Sequence, residues 1–144
     1  MPTEPAVAPN VKQVVPFLRV TDIEVSLHFY LEGLGFVLAN KWTPDGRVHW
    51  CWLRLGEAAL MLQDYWRHGE EAQPPAGPRG QGVSLTFMCT DALVIYHDLI
   101  ARGIEASRPF VGNGLWATTV LDPDGYRLEF ESPTDVPEET VYSG

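Results

Sequence analysis

Residues 14–22 (VVPFLRVTD) and residues 83–91 (VSLTFMCTD) are two apolar, alternating runs that close on the same Thr-Asp pair. Asp22 and Asp91 lie 69 residues apart in a chain of 144, and His28 and His97 keep the same offset. A repeat at that period describes two similar units rather than one continuous pattern. Behind each Thr-Asp pair an apolar stripe recurs at three- and four-residue spacing. It runs through Ile23, Leu27, Tyr30, Leu31 and Leu34 in the first unit and Leu93, Tyr96, Leu99 and Ile100 in the second. That spacing predicts a helix in each unit. Thr21 with Glu24 offers a capping box, and Gly33, Gly35 and Gly103 offer stops.

Strand signals follow each helix. Residues 48–55 and 58–64 read as a pair separated by Gly56, and residues 116–121 and 126–131 as a pair separated by the Asp122-Pro123-Asp124-Gly125 turn. A shorter strand is expected just after each helix, around residues 36–41 and 105–110. The fold class predicted is α+β: tandem β-α-β-β-β units over residues 13–66 and 83–133. Residues 67–82, rich in Gly, Pro and charge, read as the linker. The proline-bearing residues 1–12 and the acidic residues 134–144 read as tails that trail over the surface.

Hydrophobic residues make up 45% of the chain and charged residues 20%, the balance of a soluble globular domain. Ten basic residues against 19 acidic give a net charge of −9, which argues against a nucleic-acid partner and for attraction of cations. No apolar stretch approaches the roughly 18 residues of a membrane span, and no leader pattern opens the chain, so a cytoplasmic protein without a membrane partner is expected. Cys51 and Cys89 sit in apolar runs without metal-ligand spacing and read as buried, reduced thiols.

With Phe29-Tyr30-Leu31-Glu32-Gly33-Leu34-Gly35-Phe36 behind Asp22, and Asp122-Pro123-Asp124-Gly125-Tyr126-Arg127-Leu128-Glu129-Phe130 near the end, the chain resembles the vicinal oxygen chelate superfamily over residues 13 to 133. That superfamily holds glyoxalase I, extradiol dioxygenases, and fosfomycin- and bleomycin-resistance proteins. The resemblance implies a curved mixed sheet around a cup-shaped cavity, and a homodimer that builds its cups at the interface or by exchanging units. In metal-using members each unit supplies one ligand from its first strand and one from its last. Carried onto this chain, those positions are Val15, Met61, Ser84 and Glu129. Valine cannot ligate and a thioether suits soft ions, so the set predicts neither a metal nor another cofactor. A register shift that puts Gln63 in place of Met61 leaves one charged ligand.

Alternation along the strands assigns the cup-facing side chains. They are Val15, Phe17 and Arg19, then Trp50, Trp52 and Arg54, then Met61 and Gln63, with Ser84, Thr86 and Met88 and then Arg127, Glu129 and Glu131 from the second unit. Trp116, behind the loop Gly112-Asn113-Gly114, reads as part of a lip over the cup. The tryptophans either line a ligand site or plug the cup and bury an interface; Glu129 is either a ligand-facing acid or the partner of Arg127, Arg19 or Arg54. His28, His49, His68 and His97 read as surface or packing residues. No nucleophile triad or dinucleotide fingerprint is visible. The function expected is a metal-free small-molecule binder resembling bleomycin-resistance proteins, which sequesters a cationic or aromatic ligand. The alternatives are a metal-dependent lyase or dioxygenase of the glyoxalase type and a dimeric interaction domain whose cups are filled.

Overall fold

The structure is a computed structural model that describes residues 9–67 and 69–144. Most of the proline-bearing N-terminal stretch and His68 therefore lie outside the described residues. In chain order the elements are β1 (Phe17–Arg19), α1 (Ile23–His28), β2 (Val37–Trp42), β3 (Trp50–Leu55), β4 (Ala58–Gln63), β5 (Trp66–Arg67), β6 (Glu70–Glu71), β7 (Ser84–Met88), α2 (Ala92–Ala101), β8 (Phe110–Gly112), β9 (Leu115–Leu121) and β10 (Arg127–Pro133). The units form two mixed four-stranded sheets of the same order, β1-β4-β3-β2 and β7-β10-β9-β8, neither closed into a barrel. In each, the first strand crosses over its helix to run parallel to the last. Among the described residues no helix is long and apolar enough to cross a membrane.

The repeated Thr-Asp pair splits its roles. Asp22 caps α1 by accepting from the backbone N–H groups of Glu24 (3.1 Å) and Val25 (3.3 Å), and Asp91 caps α2 the same way through Leu93 (3.0 Å) and Val94 (3.2 Å). The aspartate one residue later is the N-cap, not Thr21, because its short carboxylate reaches two of the unpaired N–H groups of the first turn. Thr21 is left free to bind the other unit, donating Oγ1 to Asp124 (2.6 Å). Helix α1 runs on into a π-type turn, Phe29–Gly33, and so delivers Tyr30 inward.

Three segments depart from the sequence reading. The strand expected around residues 105–110 is a loop up to Pro109, and the short strand β8 begins at its end, where Pro109 no longer withholds an N–H. The linker carries the small β5–β6 hairpin, and its Arg79 pairs with Asp124. Residues past 133 do not trail: Val111 and Thr140, and Glu139 and Val111, exchange backbone hydrogen bonds (2.9 and 2.8 Å), so the segment docks on β8.

The larger of two core clusters joins the units. It holds Leu18, Val20, Leu27, Tyr30, Phe36, Leu53, Leu60 and Leu62 of the first with Leu99, Val120, Leu128 and Phe130 of the second. Burying each such side chain stabilises the fold by about 1.5–3 kcal/mol. An aromatic chain crosses the junction from Tyr30 to Phe36 (5.4 Å between centroids), Phe87 (5.9 Å) and Phe130 (5.1 Å). Because both sheets turn their helix sides to this core, their other faces point outward. Polar contacts close the seam: Tyr30 donates its hydroxyl to Asp122 (2.8 Å), Tyr126 donates to the Arg19 carbonyl (2.8 Å), and Arg102 donates to the Gly33 carbonyl (2.9 Å). Burial holds the Asp122 carboxyl above its usual range despite the hydrogen bonds from Tyr30 and the backbone of Tyr126 and Asp124. Burial, then the Asp122 charge, pushes the Tyr30 hydroxyl far upward. Gly125 in this turn has φ +91°, and a side chain there would meet Pro78 Cβ at 2.7 Å, so glycine lets the linker lie on the turn.

Tyr30→Phe is expected to lower the unfolding free energy in urea by about 1–3 kcal/mol, the cost of a buried acceptor left without its donor. The variant loses a bond that favours charged Asp122, so its folded-state pKa rises further. Its deficit should then narrow as acid protonates Asp122. A deficit near zero at neutral pH would show that the seam does not depend on this bond.

Candidate functional site

Strand register places the outward residues of the first sheet in rows. Phe17, Met61, Trp52 and Asn40 form one, and Arg19, Gln63, Trp50 and Trp42 the next, with Arg54 opposite Ala59 and Val37 beyond them. The alternate residues Leu18, Cys51, Leu53, Leu60 and Leu62 are buried, which fixes the face. Seven of the residues singled out from sequence (Phe17, Arg19, Trp50, Trp52, Arg54, Met61 and Gln63) thus share one surface. Phe17 stays 47% exposed, whereas Trp50 and Trp52 are half-buried. Arg54 lies 5.9 Å from the Trp52 ring centroid. Arg19 is held, its Nε donating to the Asp64 carbonyl (3.2 Å) and its guanidinium lying 4.7 Å from the Tyr65 ring centroid. The Trp52 indole N–H is shut off from solvent and meets no acceptor among the described residues.

The second sheet presents a different surface. Its rows are Ser84, Arg127 and Leu121, then Thr86, Glu129 and Thr119, then Met88, Glu131, Ala117 and Phe110. Glu129 accepts from Arg127 at 3.0 Å, one of the pairings open in the sequence. Burial, with the neighbouring Glu129 charge, holds the Glu131 carboxyl above its usual range. Met88, Leu121 and Phe110 remain well exposed around these acids. Within one chain Ser84 and Glu129 are therefore on a different face from the tryptophans, because the two sheets share their inner sides.

Trp116 needs a correction. It points inward from β9, buried against Ala92, Val111 and Tyr142, with its ring 5.7 Å from that of Tyr142. The loop before it is pinned rather than loose, since Glu138 accepts from the backbone N–H groups of Asn113 (2.6 Å) and Gly114 (2.8 Å). The docked C-terminal segment supplies both contacts, which the unpatterned sequence there did not signal. His97 is likewise taken up by Tyr142 (2.8 Å), and His28 is exposed on α1. Cys51 and Cys89 are free thiols, the first buried with its pKa pushed up to about 11 by that burial, the second half-buried.

A groove of about 810 Å³ takes in Ser84, with Thr86 and Met88 beside it on β7, and none of the tryptophans. It runs between the free edge of β7 with α2 and the β3–β4 turn, over Leu34, Leu85, Phe87, Leu99 and Phe130. Its signal in the sequence was β7 itself, an alternating strand whose inward residues Leu85 and Phe87 end only half-buried.

The four positions at which metal-using relatives carry ligands do not fit an ion here. Val15 and Met61 offer no hard donor, Ser84 is a neutral hydroxyl, and Glu129, the one carboxylate, is paired with Arg127. They also fall on the two separate outer faces. Among the described residues no three His, Cys, Asp or Glu side chains cluster in a way that would hold a metal.

Solved structures with the same fold include a bleomycin-binding protein in complex with bleomycin (21% identity, 86% of this chain and 100% of that one, TM-score 0.66). TnmS3, an antibiotic-binding protein from Streptomyces sp. CB03234, is similar at 23% identity over 88% of this chain and 100% of that one (TM-score 0.65). A lactoylglutathione lyase from Agrobacterium tumefaciens is similar at 18% over 86% and 96% (TM-score 0.63). Likeness at such identities speaks for the fold alone. No curated protein sequence matches the chain. Residues 10–130, which carry both the helix-end motif behind Asp22 and the Asp122–Gly125 turn, match one family model, and the chain belongs to the Glyoxalase/Bleomycin resistance protein/Dioxygenase superfamily.

Proposed function

We propose that this protein is a metal-free small-molecule binder that sequesters a cationic or aromatic ligand in a tryptophan-lined cup. The observation that carries the reading is the gathering of Trp50, Trp52, Phe17, Met61 and Arg54 on one outer face. A ligand with a planar ring stacks on such a face. The cup is completed in a homodimer, where the aromatic face of one protomer meets the acidic face of its partner. Glu129 and Glu131 then supply the negative charge that a cationic ligand needs, and Trp contributes cation-π attraction. The exposed apolar side chains on both outer faces, Phe17 on one and Met88, Leu121 and Phe110 on the other, support that pairing. The superfamily's antibiotic-binding structures suit this reading, whereas lyase chemistry lacks its ligands at three of four positions. The place of action is the cytoplasm, where the free thiols Cys51 and Cys89 stay reduced.

With bleomycin and ethidium as probes, isothermal titration of the native protein is expected to show binding to at least one. Trp52→Ala should weaken it by about 1 kcal/mol or more with the circular dichroism unchanged. Binding of neither probe, or an affinity unchanged from the native protein in both Trp50→Ala and Trp52→Ala, would overturn the site. Sedimentation should give twice the chain mass, and a monomer that binds in full would remove the shared cup. Elemental analysis after purification without chelator provides the remaining check, since one tightly held metal per chain would return the protein to the enzyme reading.

Glu129→Gln is expected to leave stability nearly unchanged, because the Arg127 pair is partly exposed, while weakening the cationic probe. Equal binding by the variant would place the ligand's charge elsewhere.

A further inference from the structure

His49 opens β3 and is buried at 2% exposure, with a carboxylate at each ring nitrogen. Its Nδ1 lies 2.7 Å from Asp64 Oδ2, just past β4, and its Nε2 lies 2.9 Å from Asp45 Oδ1, in the turn between β2 and β3. Trp66 of β5 stacks on the imidazole at 4.2 Å between centroids and 15° between planes. Trp42 of β2 packs edge-on to both rings, 5.7 Å from Trp66 and 6.3 Å from His49, and is itself 43% exposed. Trp42 stands directly opposite Trp50, so this cluster forms the rim of the aromatic outer face.

A neutral imidazole has one N–H and one lone pair, and only the imidazolium donates from both nitrogens. Two ionised carboxylates on the ring are therefore both satisfied only when His49 is protonated. Loss of the proton sets a nitrogen lone pair against a carboxylate oxygen at hydrogen-bond distance. The carboxylate released is Asp45, whose side chain is 38% exposed against 15% for Asp64 and which water can resolvate in its turn. Other groups around the ring do not replace the proton. Arg19 of β1 donates to the Asp64 carbonyl rather than to its carboxylate. Arg47 gives Asp45 only its backbone N–H (3.1 Å), and Trp42 and Trp66 are uncharged. Strand β6 sets Glu70 opposite Arg67 and Glu71 opposite Trp66.

We propose that His49 is a proton-operated positioning residue. Charged, it ties the β2–β3 turn to the end of β4 and fixes Trp42 and Trp66 at the rim of the binding face; neutral, it frees the turn and lets the rim loosen. Burial by itself would lower the His49 pKa, but hydrogen bonds to Asp64 and Asp45, with their charges, outweigh it and leave it raised. Its contribution to folding is then complete below the ordinary histidine value of about 6.5 and is lost as pH rises through the higher folded-state value. The consequence for ligand affinity rests on the proposed binding function, whereas the latch itself does not.

Tryptophan emission of the full chain, without ligand and in a His68→Gln, His97→Gln background that removes the histidine two positions after Trp66 in the sequence and the one bonded to Tyr142, is expected to change in one single-proton step above pH 6.5. Asp45→Asn should move that step to lower pH, because one of the two carboxylates that raise the imidazole's pKa is gone. The asparagine amide donates to Nε2 of a neutral ring while Nδ1–H still serves Asp64, so the tie holds in both protonation states. No step between pH 6 and 9, or an unchanged step in Asp45→Asn, would overturn the latch. Ethidium titrations on the same two proteins test the consequence, with affinity expected to fall across the step in the parent and to stay level in Asp45→Asn. A step in emission without binding of ethidium at any pH leaves the latch intact and counts against the binding function. Ethidium affinity that stays level across an observed step would remove the rim from the ligand's path.

Discussion

The hydroxyl of Tyr30 on the Asp122 carboxylate is the contact from which the rest of the arrangement follows. It joins the helix of the first unit to the last turn of the second across the middle of a shared core. A buried carboxylate is tolerated only where donors surround it, and Asp122 has three, from Tyr30 and from the backbone of Asp124 and Tyr126. The same turn offers Asp124 to Thr21 and Arg79 and Tyr126 to the Arg19 carbonyl. Helix, first strand, linker and final hairpin thus meet at three residues, Asp122, Asp124 and Tyr126.

Because the seam brings the helix sides of the two sheets together, it turns their remaining faces outward. One outer face is aromatic with Arg54 and a held Arg19, and the other is acidic around Glu129 and Glu131 with an apolar margin. Neither is a closed cavity in a single chain. The groove beside β7 opens between the sheets instead, at a strand edge that has a hydrogen-bonded neighbour on one side only.

The first sheet also shows how a rim is built from ordinary parts. Its β2–β3 turn is long and exposed, and it is fastened by one ring whose two nitrogens each meet a carboxylate. Stacking of Trp66 on that ring transfers the fastening to the aromatic surface. Charge, hydrogen bonding and ring packing act there through one imidazole.

The sequence by itself determined the doubled β-α-β-β-β pattern, the family, the face on which Trp50, Trp52, Met61 and Arg54 lie, and the poverty of the metal-ligand positions. The pattern and the face rest on local periodicity, which short stretches carry, whereas the family and its ligand positions came by the resemblance of residues 29–36 and 122–130 to a known superfamily. It offered Thr21 as the cap of α1, whereas Asp22 caps the helix and Thr21 binds Asp124 of the second unit. Tertiary structure decided the rest. That the two sheets share their inner sides depends on Tyr30 meeting Asp122 across 92 residues, which alternation within a strand cannot express. Trp116 was placed at a lip because its loop is glycine-rich, yet Tyr142 and Glu138 hold it inward from a segment with no pattern of its own. His49 read as one more packing histidine, for Asp45 and Asp64 become its partners only when the turn after β2 folds back over the end of β4.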